Sequence, residues 1–244
     1  ENREYFIGGA EAGSIYHDCL MILARDLTST LEKGQEITDE NSIWMNITKE
    51  SMEDRVKKIL NEISQDYMEG IMSHSKYEQY RAKRIERVCC DSAWIAIKHV
   101  RSGAIKTMDF EVEFGKDKTL PPIDMEVTNG KAAIEGKIDR VDILEGDYSK
   151  VIDYKSGNDV FLENMKLQLF IYLMATVNEK IQPGGAFYFH LDEAKATGVL
   201  TDEDATNKID AQFKLNGFLL DNHTVLDSID KEAGRFSNVF IKGK

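Results

Sequence analysis

Apolar and polar positions recur along this chain in two different periods, and the change of period divides it. From Ser14 to about Leu31, residues His17, Leu20, Met21 and Ala24 recur at helical spacing, with Ser14 placed to cap the first turn. From about Glu50 to Met72 the stripe is Met52, Val56, Ile59, Leu60, Ile63 and Tyr67, and a third helical run spans about Lys76 to Val100. The period then drops to that of a strand. Strands are expected at about Lys106 to Phe114, Lys131 to Leu144 and Lys150 to Tyr154, the last pair joined by a turn at Glu145-Gly146-Asp147. A long helix from about Val160 to Glu179, a break at Gly184-Gly185 and a strand from Ala186 to Leu191 follow, and Thr201 to about Leu220 reads as mainly helical. A strand meander, a crossover helix and a returning strand make a mixed α/β layout in which the last strand can run parallel to an earlier one.

Two of these strands carry charge where a strand interior does not hold it cheaply. Val151, Asp153 and Lys155 share one face while Ile152 and Tyr154 share the other, because successive side chains alternate. Val151 and Ile152 open this strand, and Ile138, Val141 and Ile143 mark the preceding one, so both read as internal. Charges there are costly unless paired or bound to metal. A carboxylate pair suits a hard divalent cation, and a neighbouring ammonium can orient a water and offset charge on an attacked phosphate. The competing reading of Asp153 and Lys155 is a surface ion pair, worth roughly 0 to 1 kcal/mol. Gly136 within the strand pattern marks close approach of a backbone or a ligand.

Composition narrows the class. The chain has 244 residues, 42% hydrophobic and 30% charged, ordinary for a globular protein with a real core. No run approaches a membrane span and the first residues lack a signal-peptide pattern, so a cytoplasmic protein that does not enter membranes is expected. Cys19, Cys89 and Cys90 have no metal-ligand spacing and are expected reduced and buried. A net charge of -12 argues against nonspecific coating of nucleic acid, although acids gathered at a metal leave a nuclease possible. Arg81, Arg84 and Arg87, with Lys83, make one flank of the third helix basic, which suits either a solvated face or a phosphate-contacting ridge. With few prolines and no repeat, residues 1–244 read as one domain, expected to be a piece of a longer subunit.

Gly136-Lys-Ile-Asp139 on one strand and Asp153-Tyr-Lys155 on the next resemble the motifs of the PD-(D/E)XK nuclease superfamily. Gly13-Ser-Ile-Tyr-His17 is similar to the Gly-x-x-x-His element of its helicase-linked branch, and Gln168-Leu-Phe-Ile-Tyr172 to that branch's Gln-x-x-x-Tyr motif. Gln168 and Tyr172 are one helical turn apart and share a face, so they can present an amide and a phenol together. The downstream stretches Gly185–Leu191, Phe213–Asp221 and Val225–Asp230 most resemble the C-terminal nuclease domain of AddB-type helicase–nuclease subunits.

This resemblance implies a restriction-endonuclease-like core, a mixed central sheet flanked by helices. Its parts would be residues of about 10–30 and 104–221, with a helical insertion of about 31–103 between the first helix and first strand. It implies that His17, Asp139 and Asp153 bind Mg2+ or Mn2+ with the carbonyl of Tyr154, and that Lys155 stabilises the transition state. Glu111 would hold a second ion or a metal-bound water, with Glu113 as the competing acid. Gln168, Tyr172 and Arg140 would position the DNA; for Arg140, a salt bridge to Asp142 is the alternative. Of the two acids, Asp139 matches the Gly-x-x-Asp frame, and alternation puts Asp142 on the opposite face. The implied activity is a metal-dependent deoxyribonuclease, an exonuclease, acting on single-stranded DNA fed by a helicase partner in double-strand break repair. The alternatives are a nuclease-fold module that binds DNA or partner subunits without cutting, and a phosphohydrolase of small phosphoesters. AddB-type proteins also hold an iron-sulfur cluster, but Cys19, Cys89 and Cys90 do not fall at its cysteine positions, so no cluster is expected in this chain.

Overall fold

The computed structural model describes residues 9–68, 76–128, 130–156, 165–191 and 212–231. The helical stripes become α1 (Gly9–Ser29), the short α2 (Ile43–Asn46), α3 (Lys49–Met68) and α4 (Lys76–Ser102). Ser42 caps α2 by accepting the Met45 N–H, whereas Ser14 lies inside α1 and does not cap it. The strands are β1 (Ile105–Phe114), β2 (Ile123–Val127), β3 (Gly130–Ile134), β4 (Gly136–Leu144) and β5 (Tyr148–Ser156). Then come α5 (Met165–Thr176), β6 (Gln182–Leu191), β7 (Asn216–Leu219) and α6 (His223–Ile229).

The main sheet has the order β1-β4-β5-β6-β7. Strands β1, β4 and β5 form the antiparallel meander, and α5 crosses over so that β6 lies parallel to β5, as the layout allowed.

Three expectations need correction. The stretch Lys131 to Leu144 is two strands, broken at Glu135, whose carboxylate turns back to accept the Lys116 N–H at 2.9 Å. The first half, β3, pairs with β2 in a separate hairpin that was not among the expected elements. Within Thr201 to Leu220, residues 201–211 lie outside the described residues, and Asn216–Leu219 is a strand on the edge of β6. Gly217 permits this, since a Cβ there would come within 2.0 Å of the Ala186 carbonyl oxygen. The crossover helix ends at Thr176, where Asn178 Oδ1 accepts the N–H groups of Lys180 and Ile181 in a turn; residues 157–164 lie outside the described residues. So do residues 69–72 of the second predicted helix.

The sheet is covered on both faces. Helices α1, α3 and α4 share one apolar core with Ile105, Leu144, Ile152, Tyr154, Phe187 and Phe189. On the other face, Leu169 and Leu173 of α5 pack with Val141, Val151, Ala186 and Tyr188. Residues expected to form an insertion, such as Met52, Val56, Val88 and Ile95, are therefore integral to the first core. The three cysteines are buried and free. No helix among the described residues is long and apolar enough to cross a membrane.

Candidate active site

Helix α1 comes close to the end of β5 at Gly13, where a Cβ would lie 2.5 Å from Ser156 Oγ unless that hydroxyl turned away. One turn on, His17 Nδ1 stands 3.6 Å from Asp139 Oδ2 on β4, and the His17 ring meets Tyr154 edge-on with centroids 5.6 Å apart. The same Asp139 oxygen accepts the Tyr154 backbone N–H at 2.8 Å, tying β4 to β5. The helix, the second acid strand and the Asp-Tyr-Lys strand thus converge.

On β5, Asp153 Oδ2 is buried, and its close cation, Lys155 Nζ at 2.7 Å, sits out of hydrogen-bonding alignment. Lys155 Nζ donates to Gln168 Oε1 at 3.3 Å, and Gln168 Nε2 donates to Tyr172 Oη at 2.9 Å. A lysine, an amide and a phenol therefore form one chain from the acids to the surface of α5. The Tyr188 ring of β6 lies beneath Lys155, with Nζ 5.4 Å from its centroid.

Charge is strained here. Burial, and then the neighbouring Asp139 charge, push the Asp153 carboxyl up to about 6, against the pull of Lys155. Burial likewise raises Asp139, with a further push from Glu111, although His17, the Tyr154 N–H and Lys155 resist it. Glu111 pairs with Lys137 and holds a left-handed backbone at φ 55, uncommon for a residue with a side chain. Glu113 is exposed and taken up by Lys118 at 2.8 Å. Of the two first-strand acids, Glu111 is the one whose charge reaches Asp139.

Arg140 departs from its expected place. It is 2% exposed on the opposite face of the sheet and grips Asp142 through two hydrogen bonds, at 2.7 and 2.8 Å. The guanidinium is sealed from solvent, and the alternative salt bridge to Asp142 is what forms. Gly136 is also explained without a ligand, because a Cβ there would meet the Phe114 ring at 2.8 Å.

Sequence reading missed Lys137, Tyr188 and Lys150, which pairs with Asp142 at 2.8 Å. Lys137 shares the alternation of Asp139, and its signal was available in the strand pattern. Tyr188 and Lys150 became visible only once the β5–β6 and β4–β5 registers were known. His74 lies outside the described residues, and His99 is buried.

Among the described residues no three His, Cys, Asp or Glu side chains stand together as a ready cation cage. The donors nonetheless suit a hard or borderline divalent ion: an imidazole and two carboxylates whose pKa values are raised chiefly by burial.

A family model described as the PD-(D/E)XK nuclease superfamily matches residues 6–234. The chain belongs to that superfamily. Curated relatives agree. The B subunit of the ATP-dependent helicase/deoxyribonuclease of Alkaliphilus metalliredigens is 31% identical over 100% of this chain, and the same-named protein of Alkaliphilus oremlandii is 30% identical over 98%. That of Thermoanaerobacter sp. strain X514 is also 30% identical over 98%. This PD-(D/E)XK chain spans 21 to 22% of the length of these relatives. A solved structure, that of SSO0001, overlaps 84% of the chain and 85% of its own at 17% identity and a TM-score of 0.30, too loosely to bear on the fold.

Proposed function

We propose that this chain is the metal-dependent nuclease domain of an AddB-type helicase–nuclease subunit, hydrolysing phosphodiester bonds of single-stranded DNA during break repair. Residues 1–244 act as one domain in this reading. The observation that carries it is the Lys155 ammonium, set between buried Asp153 and the Gln168–Tyr172 pair and flanked by Asp139 and His17. A lysine held only as a surface ion pair would need none of these partners.

His17, Asp139, Asp153 and the Tyr154 carbonyl would hold Mg2+ or Mn2+, with Glu111 in reserve for a second ion or a bound water. When bound, the ion supplies a Lewis acid for the phosphate and a more acidic water. The chain's own residues do the rest. Lys155 orients the attacking water and faces the negative charge that builds as the new P–O bond forms and the bond to the leaving sugar oxygen breaks. Gln168 and Tyr172 bind the strand with an amide and a phenol, placing the phosphate against Lys155. Tyr188 supports the ammonium from below.

The test is cleavage of end-labelled single-stranded DNA with Mg2+ or Mn2+, comparing the chain with Asp153→Ala and Lys155→Ala. Cleavage by the wild type alone is expected; equal residual cleavage by all three overturns the reading. Metal and DNA binding without cleavage by the wild type would instead mark a non-cutting module.

A further inference from the structure

On the face of β4 and β5 turned away from the candidate active site, Arg140, Asp142 and Lys150 are 2%, 0% and 1% exposed. Asp142 takes two hydrogen bonds from Arg140 on its own strand and an ion pair from Lys150 on the next, and Lys150 is its direct cross-strand partner. The Arg140 charge also acts on the phenol of Tyr154, whose ring packs against His17. The proposed chemistry uses none of these three charges, and sealing charge in a core is expensive.

Apolar alternation alone does not fix how these strands align. A slip of one residue would turn every side chain to the wrong face, but a slip of two would keep each on the face it now has, Leu144 with the core of Ile152 and Val141 with the core of Val151. Such a slip would move β4 along β5 by about 7 Å. The observed ladder, with Arg140 opposite Ile152 and Val141 opposite Val151, brings Asp139 level with Asp153 when carried one residue further. After the slip, Asp139 would lie level with Val151 or Lys155, and Asp142 would be buried opposite Tyr148 or Ile152 with no cross-strand cation. Arg140 would move with Asp142 and stay bonded to it, but Lys150 would be buried opposite Arg140 or Leu144 with no carboxylate across from it, which is costly in a dry core.

We propose that the Arg140–Asp142–Lys150 cluster is the register lock of the active site, holding β4 against β5 so that Asp139 meets Asp153 and, through Tyr154, supporting His17. These are positioning residues, acting on the site from the far side of the sheet. The proposal rests on the nuclease reading only for its metal readout.

Lys150→Met removes the cross-strand tie while leaving Asp142 bonded to Arg140, and Lys150→Arg keeps a cation there. Two quantities are measured on the full chain: hydrogen exchange of the Tyr154 amide, which donates to Asp139, and Mn2+ affinity by electron paramagnetic resonance. Lys150→Met should speed Tyr154 exchange and weaken Mn2+ binding, each about 10-fold or more, with Lys150→Arg close to wild type. Should Lys150→Met not fold, the same readouts are taken on the triple change Arg140→Met, Asp142→Leu and Lys150→Met, whose apolar packing can hold the fold. Unchanged exchange and affinity overturn the proposal, as does equal loosening of all sheet amides, which marks a purely structural role. If Tyr154 exchange responds but the wild type binds no Mn2+, the lock stands and the metal reading fails.

Discussion

The two faces of β4 and β5 carry the same kinds of residue and treat them in opposite ways. On the sealed face, Asp142 is buried, yet Arg140 and Lys150 outweigh that burial and hold its carboxyl below the usual range. On the other face, burial outweighs Lys155, and Asp153 rises to about 6. One carboxylate is satisfied by two cations, while Asp139, Asp153 and Glu111 share Lys155 and Lys137. Charge balanced within the chain makes structure; charge left in excess leaves room for a ligand.

Four experiments would break or sharpen this contrast. Asp142→Ala strands two buried cations and should cost about 3 to 5 kcal/mol of unfolding free energy, read by denaturant titration. Lys155→Ala should lower Mg2+-dependent cleavage by roughly 10²- to 10³-fold while the denaturation midpoint barely moves. Equal loss of stability in the two variants would erase the distinction between the faces.

Asp153→Asn tests the sign of the open face. The folded carboxyl titrates near 6 against an ordinary 3.8, so its contribution to stability is complete below 3.8 and is lost as pH rises through about 6. Without metal, the Asn variant should therefore be the more stable at pH 8, by up to about 3 kcal/mol, and the difference should vanish below pH 4. Thermal melts across that range decide it. The smallest effect is expected at Tyr188: Tyr188→Leu should lower kcat about 3- to 10-fold with KM steady, and Tyr188→Phe, which keeps the ring under Lys155, should lie near wild type.

Much of this arrangement was legible in the sequence. The meander, the crossover and the parallel return followed from periodicity and chain order. The motif spacings picked out His17, Asp139, Asp153, Lys155, Gln168 and Tyr172, which the fold gathers at neighbouring elements. Residues whose role depends on register were hidden. Lys150 looks like any strand lysine until it is placed opposite Asp142, and Tyr188 like any core tyrosine until β6 is laid beside β5. The β2–β3 hairpin was missed because β2 is only five residues long and β3 was read as continuous with β4 through Glu135, and β7 because Gly217 weakens a strand pattern while enabling the strand itself.

The helical block between α1 and β1 leaves and rejoins the core at almost one point: the Ile37 N–H donates to the Lys106 carbonyl and the Thr38 N–H to that of Ile105. The ends of the excursion that holds α2, α3 and α4 are thus stapled to each other. Lengthening or shortening it changes the chain entropy of closing one loop, which grows only logarithmically with length, and leaves the path through the acid-bearing strands alone. The block can therefore drift in size at little thermodynamic penalty, provided that its inner faces still meet the sheet.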